Sequence, residues 1–230
     1  MAKLWYLGHS AFYVEGEGIK ALIDPFLNGN PWNIAKPEDF SDLNYIFVTH
    51  AHGDHLGDTI EIAKRTGATV VSIFEVCQYC NLKGVENIHP MHIGGSYTFP
   101  FGRVKLVPAA HGSSVIEDGE VKTLGCPCGM LIEVEGKTIY HAGDTGLIAD
   151  MELIGKYEKV SIALLPIGGN FTMDIRDAVI AAELVKPEVA VPMHFKTWPI
   201  IDADPEKFKE LVESRGIKSL VLNPGKELEF

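Results

Sequence analysis

Short apolar runs separated by Gly, Pro or charged turns fill the first part of the chain. Leu4–Leu7, Ala11–Glu15 and Ile19–Ile23 read as strands turning at Gly8-His9-Ser10 and Gly16-Glu17-Gly18, which predicts an antiparallel meander. Tyr45–Thr49 is almost wholly apolar, as expected of a strand buried on both faces. A helix is expected from about Asp58 to Arg65, with Asp58 or Thr59 as cap and Gly67 as stop. Thr69–Ile73 then reads as a strand and Glu75–Leu82 as a helix. His89 and His92, flanking Pro90, read as loop residues.

The second part repeats this order. Tyr97–Phe99, Arg103–Ala109, Met130–Val134 and Thr138–His141 read as strands, the last two joined by the hairpin signal Glu135-Gly136-Lys137. Ser161–Leu165 and Val189–Met193 are strands around a helix from Asp174 to Val185, whose apolar residues recur at helical spacing behind an Asp174 cap. Pro205–Arg215 reads as a helix stopped by Gly216, and Ser219–Leu222 as the final strand. Two β-rich halves, each followed by strand–helix units, predict two sheets packed face to face with helices outside. The pattern alone supports a mixed α/β class. With no linker and no repeat, one domain over 1–230 is the expectation.

Composition narrows the function classes. The apolar fraction is 46% and the charged fraction 22%, which excludes wholesale disorder. A formal charge of −11 repels phosphate backbones, so nucleic acid is not an expected partner. There is no apolar run long enough to cross a membrane and no signal-peptide pattern, so a cytoplasmic protein without a membrane partner is expected. The expected partner is a small-molecule substrate, with a homo-oligomer left open.

The nine histidines carry the chemistry. His50, His52, Asp54 and His55 lie within six residues directly after a buried strand. In an extended or turning segment, residues two apart point the same way, so His50 and His52 can grip one ion while Asp54 and His55 face a neighbouring one. Three histidines in six residues serve no capping purpose.

On this motif the chain resembles the metallo-β-lactamase superfamily of metal-dependent hydrolases, and the rest of that pattern follows in order. Asp24 closes the strand ending in ALIDP, His111 closes Val104–Ala110, Asp144 lies in YHAGDT and His194 follows Val189–Met193. The resemblance implies a four-layer αββα sandwich. It also implies two divalent transition-metal ions, zinc first, with manganese, nickel or iron compatible with the same donors. It places His50, His52 and His111 on one ion and Asp54, His55 and His194 on the second, with Asp144 bridging and Asp24 supporting the metal loop. Two such ions, about 3.5–4 Å apart, share a water and aim it as hydroxide. Asp54 would also orient that hydroxide and accept its proton.

True β-lactamases usually have Cys where Asp144 stands, RNA-cleaving members carry an added domain or arm, and oxygen-reducing diiron members replace the second histidine by Glu. The N-terminal GHSAF, with YHAGDTG and PMHF, is most similar to the metal-dependent hydrolase group related to L-ascorbate-6-phosphate lactonase. The resemblance implies hydrolysis of a small anionic ester or lactone. Cyclic nucleotides or other small phosphodiesters are the alternative, and a non-catalytic metal-binding module is the rival of another class.

The remaining candidates each have a plainer reading. His141 is a candidate proton donor or a packed histidine bonded to backbone. His9 is a candidate substrate contact or a packed residue. Gly169 and Asn170, in GGNFTM, offer backbone N–H groups to an anion or merely turn the chain. Lys196 is a candidate partner for a phosphate or carboxylate or a solvated lysine. Cys77 and Cys80, with Cys126 and Cys128, raise a four-thiolate zinc or redox site against core packing.

Overall fold

The computed structural model describes every residue except Asn33. In chain order, the first sheet holds β1 (Lys3–Gly8), β2 (Ala11–Gly16), β3 (Ile19–Ile23), β4 (Tyr45–Phe47), β5 (Thr69–Ile73) and β6 (Ile88–Met91). The second holds β7 (Ser96–Phe99), β8 (Gly102–Pro108), β11 (Cys128–Val134), β12 (Lys137–His141), β13 (Ile162–Pro166), β14 (Val189–Met193) and β15 (Lys218–Ser219). β9 (Ser114–Glu117) and β10 (Glu120–Thr123) form a separate hairpin, and β16 (Glu227–Glu229) returns to pair with β1. Each large sheet therefore has seven strands, antiparallel at one side and parallel at the other.

Period two along β13 shows why both sheets are covered on two faces. Ile162 and Leu164 enter the core between the sheets, while Ala163 and Leu165 face the helices. Those helices are α4 (Asp150–Tyr157), α5 (Ile175–Val185) and α6 (Pro205–Ser214). On the first sheet, α2 (Thr59–Thr66) and α3 (Phe74–Leu82) pack against β5 and add Ile62, Val76 and Cys80 to the apolar cluster. The four layers expected from the resemblance are those observed.

Local chemistry explains most boundaries. Asp174 caps α5 by accepting from the Asp177 N–H, and Gly67 ends α2 in the left-handed region at φ 75°. Asp58 stands at the start of α2 but its carboxylate is used elsewhere, accepting from the N–H groups of Leu27 and Asn28. Four features depart from the pattern reading. His89 and Pro90 lie in β6, an edge strand where a missing N–H costs no ladder bond. The β9–β10 hairpin and α4 are added elements. The expected strand Ser219–Leu222 is reduced to the two residues of β15, and the last strand is instead β16.

The pairing pattern also locates the site. β1 and β3 are both antiparallel to β2, and β4 runs parallel to β3. β8 and β12 are both antiparallel to β11, and β13 and β14 continue parallel to β12. The carboxyl ends of β1, β3 and β4 therefore meet those of β8, β12 and β14. The His194 N–H donates to His9 O at 2.8 Å and the Cys128 N–H to Thr49 O at 3.1 Å, joining the two sheets there.

Candidate metal centre

The loop after β4 is fixed from behind by Asp24. This fully buried carboxylate accepts from Thr49 N at 2.8 Å, Thr49 Oγ1 at 2.7 Å and His55 Nδ1 at 2.7 Å. Because the Thr49 hydroxyl donates to Asp24, it accepts from His50 Nδ1, 3.0 Å away, and leaves His50 Nε2 free. His55 Nε2 is freed in the same way. Such outer partners set which ring nitrogen can bind a metal. The motif itself is partly helical: His52 precedes a single turn, α1 (Gly53–Leu56), which carries Asp54 and His55. Gly57 then turns at φ 42°, where a Cβ would run into the Pro25 carbonyl.

Three imidazoles converge first. His50 Nε2 lies 3.1 Å and His111 Nε2 3.2 Å from His52 Nδ1. Tetrahedral zinc–nitrogen bonds would separate neighbouring donors by about 3.3 Å, so this spacing suits one ion. A second group, Asp54, His55 and His194 with His9 beside them, lies next to it, with His55 Nε2 3.9 Å and His194 Nε2 3.8 Å from Asp54 Oδ2. Asp144 lies between them: Oδ1 is 3.2 Å from His55 Nε2, and Oδ2 is 3.1 Å from His194 Nε2 and 3.5 Å from His111 Nε2.

Unpaired buried atoms show that the residues fit metal ions. His55 Nε2, His194 Nε2 and Asp144 Oδ1 are buried without a hydrogen-bond partner and point at one another's neighbourhood. Buried polar atoms are normally satisfied, and a cation between them would satisfy these. His9, Asp24 and His194 also hold positive φ values of 57°, 45° and 56°, a strain that non-glycine residues keep where the surroundings enforce it.

The two sets differ electrostatically. Burial, and for His50 also the facing His55, keeps His50 well below the ordinary histidine value, and burial lowers His52 and His111. In the second set burial also disfavours the charge, but Asp144, Asp24 and Asp54 together outweigh it. His55 is held well above its usual value, and His194, flanked by Asp144 and Asp54, is raised to about 9. Burial pushes the Asp54 and Asp144 carboxyls upward, yet the adjacent histidines prevail and hold both far below the usual range.

Comparison with known proteins agrees with this geometry. Residues 20–195 match the sequence model of the β-lactamase superfamily domain. A metal-dependent hydrolase of Carboxydothermus hydrogenoformans is 54% identical over 97% of both chains. The chain belongs to the metallo-β-lactamase superfamily. A metal-dependent hydrolase of the archaeon Methanopyrus kandleri is 49% identical over 99% of each chain. Igni18, a metallo hydrolase of Ignicoccus hospitalis, superposes with a TM-score of 0.90 at 43% identity, covering 100% of this chain and 99% of its own. The chain is thus a member of a family of metal-dependent hydrolases.

The donors open onto a cavity of about 600 Å³. Phe26, Phe171, Trp198 and Ile200 wall it above His52, Asp54, His111, Asp144 and His194. These aromatic walls were not singled out by the sequence reading, because isolated aromatics in loops carry no periodic signal. Of the four residues marked in sequence as substrate contacts, none lines the cavity. Gly169 and Asn170 precede Phe171 and turn the chain, with φ values of 68° and 49°. Lys196 is exposed outside the cavity. His9 is fully buried behind the second set, its Nε2–H donating to Asp54 Oδ2 at 3.1 Å and its Nδ1 2.7 Å from Thr197 Oγ1. Burial lowers its pKa to about 4, so the neutral ring steers Asp54.

His141 follows its plainer reading. Its Nε2–H donates to Ser10 O at 3.0 Å and its Nδ1 accepts from Gly143 N–H at 3.1 Å. With both nitrogens used by backbone and no exposed surface, it is not a proton donor to the cavity. The cysteines are free, and among the described residues none joins a group able to hold an ion. Burial pushes the Cys77 and Cys80 thiols up to about 12. Cys128 has a structural use that its sequence did not reveal: its thiol donates to Thr49 O at 3.2 Å, bracing the metal loop. Ser113 adds a second brace by accepting from the Ala51 N–H.

Proposed function

We propose that this chain hydrolyses an ester or lactone bond of a small molecule, using two divalent ions held by its two donor sets. The observation that supports this reading best is the position of Asp144, whose two oxygens face His55 on one side and His111 and His194 on the other. Zinc suits the donors, and manganese, nickel or iron are accepted by the same nitrogen–oxygen chemistry. When bound, the ions supply Lewis acidity and make water nucleophilic at neutral pH.

The chain's own residues supply positioning. Asp54 is the carboxylate of the second set that faces the cavity, with 23% of its side chain exposed. Held ionised by its histidines, and steered by His9 Nε2–H, it accepts a hydrogen bond from the attacking water and orients it. His52 and His111 line the cavity beside it. Among the described residues no acid separate from the donor sets lines the cavity, so the reading favours leaving groups that depart as stable anions, such as phenolates or enolates, and the alkoxide released by a lactone would take its proton from water. The resemblance to L-ascorbate-6-phosphate lactonase keeps a lactone among the candidate substrates. A phosphodiester is the weaker reading, because none of the described lining residues is Lys or Arg to meet non-bridging oxygens.

The test is metal content together with turnover of a chromogenic ester, with and without chelator, and with Asp144→Ala as the blank. About two ions per chain and turnover that the chelator abolishes are expected. One ion or fewer after metal supplementation, or turnover no higher than the blank, would overturn the reading.

A further inference from the structure

The wall of the cavity carries information about the part of the substrate that does not react. Phe26 follows β3, Phe171 follows β13, and Trp198 and Ile200 follow β14. Three separate loops thus bring large apolar side chains to the open side of one polar floor. Phe171 is 51% and Ile200 59% exposed, so apolar surface faces water at the mouth. Single exposed apolar residues need no explanation, but a contiguous set rimming a polar site marks a binding surface. The inner pair is held in place. The Phe26 and Trp198 rings lie 6.2 Å apart, and both meet His9 edge-on at centroid distances of 5.7 and 5.1 Å.

Charge points in the same direction. The lining holds no Lys or Arg among the described residues, and the chain as a whole carries −11. An anionic substituent away from the reacting bond would meet only aromatic and aliphatic faces, with nothing to replace its hydration. An uncharged ring would bury its surface against Phe26, Phe171 and Trp198.

We infer that the substrate's group next to the scissile bond is uncharged and apolar, an aromatic ring above all, seated between Phe26, Phe171, Trp198 and Ile200. The inference rests on the hydrolase reading for the bond that breaks, but not for the preference of the wall. It also replaces the expectation of an anionic substrate: the charge, where there is one, belongs at the reacting end.

The experiment compares two carboxylates on the metal-loaded chain, 3-phenylpropanoate and glutarate. Each offers one carboxylate to the ions, and they differ in the tail. Calorimetric titration is expected to show 3-phenylpropanoate binding at least about tenfold tighter. Phe171→Ala should shrink that ratio severalfold, and Ile200→Arg, which places a cation at an exposed position of the mouth, should shift it toward glutarate. The matched 4-nitrophenyl esters of the two tails should show the same order in kcat/KM. Equal or tighter binding of glutarate to the unaltered chain would overturn the inference. If the ring preference holds and no ester is turned over, the hydrolase reading fails and this one stands. If esters are turned over without the preference, the reverse is true.

Discussion

The two candidate donor sets share histidine as their main side chain but differ in the charges around it. His50, His52 and His111 form an all-imidazole set whose members are kept neutral, chiefly by burial. Neutral imidazole is the form that binds a metal, so this set has no proton to lose at neutral pH. His55 and His194 belong to a set threaded with carboxylates, and without metal those carboxylates keep both rings protonated. Without metal, charge compensation there is done by protons, which a cation bound among these groups would displace. A carboxylate near a ligand histidine therefore orients it and also sets the proton cost of loading.

The largest effect that would break this comparison is at Asp54. Replacing Asp54 by Asn should lower turnover by about 10² to 10⁴-fold while the fold survives, because the loop stays and the ionised oxygen is lost. Circular dichroism with steady-state kinetics would check it. A variant with full activity would remove Asp54 from the chemistry.

Next is the pH dependence of loading. Each proton displaced changes the apparent affinity by about tenfold per pH unit, so affinity for the second ion should rise by up to about 100-fold per unit up to the His194 value. Affinity for the first ion should be nearly flat from neutral pH upward. Competitive chelator titrations between pH 6 and 9 would separate the two ions. The same linkage acts on the metal-free fold. A folded-state pKa raised to about 9 means that protonated His194 contributes stability fully present below the ordinary histidine value of 6.5 and lost as pH rises through about 9. The Tm of the metal-free chain should therefore fall across that window, and that of the loaded chain should not.

A finer distinction comes from the residues behind the ligands. Asp24→Asn should weaken the second ion by about 10- to 100-fold by releasing His55, while Thr49→Val should weaken chiefly the first, by about tenfold, by freeing His50. Equal losses on both ions from both variants would mean that the loop acts as a single unit. The smallest effect is expected at Cys126, which is exposed and in neither set. Cys126→Ser should leave metal content and turnover unchanged, and a loss equal to that of Asp54→Asn would revive a thiol-based role.

The amino-acid order by itself determined the strands and the places where ligands leave them. Alternation and short apolar runs are local signals, and His50-x-His52-x-Asp54-His55 is dense enough to be seen without neighbours. Asp24, His111, Asp144 and His194 stand alone in the sequence, and only the motif's family pattern singled them out. Marginal elements escaped for local reasons. The strand β6 contains a proline, β16 is only three residues long and pairs with β1 from the far end of the chain, and the β9–β10 hairpin lies apart from both sheets.

What tertiary structure alone decided was the use of each lone polar residue. His9 and His141 look alike in sequence, each at a strand end and within two residues of a glycine. Yet His9 steers Asp54 and His141 serves the backbone of Ser10 and Gly143. The same holds for the cavity wall. Phe26, Phe171, Trp198 and Ile200 are spread over 175 residues of the 230 and become one surface only when the carboxyl ends of β3, β13 and β14 meet. Strand formation depends on nearest neighbours and is written locally. A pocket depends on distances between loops far apart in the chain, and these exist only once both sheets have packed.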